Sequence, residues 1–157
     1  MQPFNSLIWR DCDNLYATNP VSYISVQDDY QVNVNLLLLA QYLDQQCHYL
    51  PLAQWEVLAS TIEDWDTKVV TPYRKLRRLA KSHLQAGEYQ QMLDIELMME
   101  RKTQQMLLKK LNQFEQSSIN ADATSDIASD KKDTYNTENY LCLFGIDADY
   151  FTQLQSA

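Results

Sequence analysis

The stretch QDDYQVNVNLLLLAQYL, Gln27 to Leu43, decides how the rest of the chain is read. From Val34 the pattern is apolar around most of a helical circumference until Gln41, and a helix apolar on nearly all sides belongs at the centre of a bundle. Ahead of the leucines stand two carboxylates and several amides. With Asn33 as the N-cap, its side chain accepts from an early backbone N–H, a contribution of about 1 kcal/mol. Asp28 and Asp29 are then expected near the positive end of the helix. Asn35 and Gln27 remain over, and polar groups beside a central helix find partners or cost about 1–3 kcal/mol each. The stretch therefore predicts a buried polar network.

Outward from this centre the periodicity stays helical. Ser6 opens SLIWRDCDNLYA, where Leu7, Ile8, Cys12, Leu15 and Tyr16 recur at helical spacing, and Thr18-Asn19-Pro20 closes it. A short helix follows from Val21 to about Asp29. His48-Tyr49-Leu50-Pro51 ends the central helix, placed at Val34–Cys47. From Leu52, the residues Trp55, Leu58, Ile62, Trp65, Val69, Tyr73 and Leu76 hold helical phase across Pro72. Pro72 cannot donate to the Lys68 carbonyl, so a kink or break is expected near residues 68–72. After Gly87 another helix spans 88–116, with ERKTQQ interrupting its stripe and read as exposed or frayed. Residues 117–137, rich in Ser, Asp, Ala and Thr, read as a disordered linker. Residues 138–154 regain enough apolar surface to dock. The expected fold is all-α: one helical bundle over 4–116 around a central buried helix, a flexible linker, and an appended C-terminal helix. Two glycines and four prolines in 157 residues leave little punctuation for a turn-rich β architecture.

Charge is segregated. Residues 1–66 carry −8, residues 67–116 carry +5, and residues 117–157 carry −5. Within the basic middle, RKLRRLAK places Arg74, Arg77, Arg78 and Lys81 within about 100° of one helical face, with Leu76, Leu79, Ala80 and His83 opposite. Those cations suit either an internal network, in which Asp28 receives a bidentate arginine, or an acidic protein partner. The flanking acidic segments would repel a polyanion, which argues against nucleic acid.

Other chemistries find little material. Three cysteines without paired spacing fit neither a disulfide framework nor a zinc ribbon and point to a reducing cytosol. Cys47-His48 and His83 lack the second ligand a metal site needs. No glycine-rich loop cradles phosphates. The N-terminus has no leader-like pattern, and the longest apolar run, Leu36 to Ala40, is far below the roughly 18 residues of a membrane span.

Trp9 with Leu15-Tyr16, then Val26-Gln27-Asp28 followed by Val34-Asn35-Leu36-Leu37-Leu38, then Trp65, Val70, Pro72 and Leu76-Arg77-Arg78 resemble the landmarks of domain-of-unknown-function family 2390. Glu96-Leu97, Glu100 and Leu107-Leu108 resemble the family's last helix, so the likeness covers about residues 4–111. It implies a small, helical, cytoplasmic bacterial protein and transfers no activity. Two positions depart from the family: Gln31 stands where it has glycine, and Asn33 where it has Asp. A glycine serving positive φ is replaced at a cost of about 1 kcal/mol or more, and Asn keeps the cap while losing the charge.

The leading expectation is a non-enzymatic interaction or regulatory module presenting Arg74, Arg77, Arg78 and Lys81 to an acidic protein. The alternative is a small-molecule-binding protein or enzyme with Gln27, Asp28, Asn33 and Asn35 lining a polar pocket. No catalytic residue, metal or cofactor is assigned.

Overall fold

The computed structural model describes residues 4–121 and 135–156, all helix, turn or coil with no strand among them. The elements are α1 (Ile8–Thr18), α2 (Pro20–Tyr30), α3 (Val34–Gln45), α4 (Leu52–Trp65), a π-helical turn (Asp66–Val70), α5 (Thr71–Ala80), α6 (Ala86–Ala121), α7 (Asn136–Cys142) and α8 (Ala148–Ser156). The all-α bundle expected from the sequence is the fold observed.

α3 is the centre. Leu36, Leu37, Leu38, Leu39, Ala40 and Leu43 are all buried, and α1, α2 and α7 pack on it. Asn33 caps it as anticipated, its side chain accepting from Leu36 N at 3.2 Å. The turn before it requires a left-handed residue, and Gln31 supplies one at φ 59°. Asp28 and Asp29, however, lie exposed in the last turn of α2 rather than against the start of α3. A glycine at position 31 would meet this geometry without a Cβ penalty.

Around Pro72 the helix neither stops nor frays. It passes through the π turn, where Thr71 N donates to Asp66 O, five residues back. The wider turn accommodates the ring and the missing donor of Pro72, the usual resolution of a blocked ladder.

The C-terminal segment is built into the core. Asn136, fully buried, accepts from Leu50 N at 2.8 Å and Trp55 Nε1 at 3.1 Å, and donates to His48 O at 2.8 Å. The Asp44 carboxylate caps α7 by accepting from Asn136 N and Thr137 N. Tyr140 and Leu141 are completely enclosed, and the Trp55, Tyr140 and Phe144 rings follow one another edge to face at 5.9 and 5.3 Å. α8 is held through Tyr23, whose hydroxyl donates to Gln41 Oε1 and accepts from Gln155 Nε2. Where one C-terminal helix was expected there are two, separated by a turn through Gly145 at φ 70°. The expected linker, 117–137, falls mostly outside the described residues; α6 runs to Ala121 and α7 begins at Asn136.

Candidate functional site

Two polar clusters meet the first turn of α3. The first is an ion-pair network between α5 and α6. Arg74 Nε lies 3.3 Å from Glu96 Oε1, and its Nη2 pairs with Glu100 Oε1. Arg77 Nε pairs with Glu96 Oε2, and its Nη1 donates to the Tyr89 hydroxyl at 2.9 Å. Glu100 Oε2 accepts from Asn35 Nδ2 at 2.7 Å, and Asn35 Oδ1 accepts from Gln104 Nε2 at 3.2 Å. Burial opposes the charge on Arg77, but the Tyr89 hydroxyl and the Glu96 carboxylate outweigh it and raise the guanidinium's pKa.

This is the network the opening stretch demanded, with different acids in it. Glu96 and Glu100 take the arginines; Asp28 reaches only Arg78, at 3.7 Å between side chains that are half exposed. The four cations expected on one open face are divided: Arg74 and Arg77 turn toward α6, while Arg78 and Lys81 stay at the surface. Thr103 and Gln104, read as part of a frayed stretch, are buried. Thr103 receives the Trp65 indole N–H at 3.1 Å. Two arginines three apart, facing two glutamates four apart across a short turn, were a sequence signal for this pairing.

The second cluster borders a cleft of about 970 Å³ lined by α2, the 31–33 turn, α3, α4, the π turn, α5 and α7. Of the residues expected to line a pocket, Gln27, Asp28 and Asn33 border this cleft, whereas Asn35 borders, with Gln27, a smaller one of about 380 Å³ beside the ion-pair network it joins. Asp66 and Tyr140 complete the cleft, and sequence reasoning missed both. Asn33 joins them: its N–H donates to the Tyr140 hydroxyl at 3.0 Å, and its Nδ2 donates weakly to Asp66 Oδ1 at 3.4 Å. Among the described residues no acceptor takes the hydrogen of the fully buried Tyr140 hydroxyl. Burial raises that phenol's pKa, so it stays an O–H donor. Burial also pushes the Asp66 carboxyl above its usual range; Arg74 pulls it back, Glu100 adds to the rise, and a bond from Thr71 opposes it.

Apolar surface from Leu36, Ile62, Leu143 and Phe144 adjoins this polar corner, and Glu56, Glu63, Lys75 and Arg78 bring both signs of charge to the lining. Clefts of this size with a few convergent polar groups are where small molecules bind.

The cysteines offer less. All three are free. Burial, with Asp13 and Asp11 adding, pushes the Cys12 thiol up to about 12, which leaves almost no thiolate for nucleophilic chemistry. His48 Nε2 is 2.7 Å from Glu115 Oε1, and His83 is exposed. Among the described residues no group of three or more metal-ligating side chains converges, and no helix is long and apolar enough to cross a membrane.

A family model described as a protein of unknown function, DUF2390, matches residues 7–107. No match was found among curated proteins or among solved structures. Tyr140, Leu143 and Phe144 of the cleft lie outside the matched segment.

Proposed function

The chain belongs to the DUF2390 family of proteins of unknown function, and on that premise we propose that it binds a small molecule in the cleft between the 31–33 turn and the π turn. One observation carries the reading: Asn33, Asp66 and Tyr140, from three distant parts of the chain, converge at one wall, where the half-buried Asn33 and Asp66 side chains meet the cleft and the enclosed Tyr140 hydroxyl holds Asn33 by accepting from its backbone N–H. A π turn beside the site adds support, since such insertions often accompany functional positions. The ligand has a polar head that meets the Asn33 and Asp66 side chains, which Tyr140 positions from behind, and a compact apolar body against Ile62, Leu143 and Phe144. A cytoplasmic bacterial setting fits the three free thiols.

Native mass spectrometry of the protein purified gently from its own cells tests this. The expected result is bound mass of about a few hundred daltons, the scale of a ligand that such a cleft encloses, lost in Tyr140→Phe and kept in Lys81→Glu. Protein that carries no added mass, or mass indifferent to Tyr140→Phe, would contradict the proposal.

The interaction-module reading keeps one favourable observation. Lys75, Arg78 and Lys81 remain at the surface in a segment with no acidic residue between Asp66 and Glu88.

A further inference from the structure

α5 is built inside out. Its arginines Arg74 and Arg77 face α6 and are ion-paired there, while Leu76 and Leu79 stand 55% and 66% exposed and no residue of the helix is buried. Leu76 and Leu79 are three apart and therefore neighbours on one stripe. Exposed beside them are Lys75 and Arg78. Among the described residues Lys75 has no ion pair, and Arg78 has only its loose contact with Asp28.

We infer that this outward stripe docks an acidic amphipathic helix of a partner protein, with apolar side chains on Leu76 and Leu79 and carboxylates on Lys75 and Arg78. Charge chooses the occupant: Lys75, Arg78 and Lys81 stand exposed in a segment with no acid between Asp66 and Glu88, and opposite charge steers and orients such an encounter. Form follows from the backbone. A helix has no free ladder edge, so recognition runs through side chains, helix against helix. A second copy would bring the same cations to the stripe if it docked through its own α5.

The test places a benzophenone-bearing residue at position 79 of the full-length protein in its own cells, irradiates, and sequences the linked peptide by mass spectrometry. The expected peptide is net acidic, with apolar residues three and four apart. It is absent when the probe replaces Val57, exposed on α4, and its yield falls about tenfold or more with Lys75→Glu plus Arg78→Glu, the scale of reversing charges at an interface rim. Tyr140→Phe leaves the adduct unchanged, which separates this surface from the cleft. Adducts to lipid, to another copy of the chain, or to a neutral or basic segment would overturn the inference, as would no adduct specific to position 79.

Discussion

The hub around α3 and the arm made by α5 with the facing part of α6 are both helical, and opposite forces hold them. In the hub, leucines and aromatic rings are enclosed, and the buried Asn136 side chain accepts twice and donates once. In the arm, α5 buries no residue, and Arg74, Arg77, Glu96 and Glu100 do the holding. Amphipathicity reads correctly where burial is the driving force. It misleads where ion pairs face inward and leucines face water.

That contrast is sharpest at Asn136. Asn136→Ala strands Leu50 N, Trp55 Nε1 and His48 O without partners, and at about 1–3 kcal/mol for each buried group left unpaired the whole molecule loses at least about 3 kcal/mol. Urea unfolding monitored by tryptophan fluorescence should show one earlier transition. An unchanged midpoint would mean that the C-terminal segment is not part of the hub.

Glu96→Ala comes next. It leaves two arginines facing a vacancy at a half-enclosed site, with an expected loss of about 2–4 kcal/mol. Here the loss is local: amides of residues 71–100 should exchange faster while those of α3 stay protected. Arg77→Glu should act the same way, because its guanidinium lies against Glu96. Uniform loss of protection would erase the distinction between hub and arm.

A smaller gain is expected from Gln31→Gly. At φ 59° glycine carries no Cβ penalty, so thermal denaturation should show about 0.5–1 kcal/mol of added stability. A loss would mean that the Gln31 side chain contributes something its surroundings do not reveal.

The smallest effect concerns Asp66 and pH. Burial raises its folded pKa above the ordinary value of 3.8, so the folded state holds this proton more tightly than the unfolded chain. The associated stability is whole below pH 3.8 and is lost as pH rises through the folded value. Asp66→Asn should therefore melt higher than the parent at neutral pH and equal to it in acid. A difference that does not depend on pH would remove the argument.

Much of the hub was legible. Val34 through Ala40 announces a central helix, Asn33 its cap, and Pro72 a disturbance that the π turn resolves; the left-handed turn at Gln31 was implied only by the family resemblance. The acids of the network went unread: Glu96 and Glu100 meet Arg74 and Arg77 only once the arm folds back, and the matching three- and four-residue spacings are their one local trace. Asp66 and Tyr140 were hidden for another reason. They lie 33 and 107 positions from Asn33, and no local period relates residues that only tertiary packing brings together. Docking of 138–154 was foreseeable from its apolar content, but Asn136, just outside that segment, carries its most heavily used side chain.

The measurement that tests the account most directly is an amide NMR titration of the full-length protein with the small-molecule fraction of its own cells. The account predicts shifts concentrated at residues 31–36, 63–71 and 140–144, absent in Tyr140→Phe. Shifts confined to the exposed side of α5, or none at any residue, would contradict the cleft as the functional site.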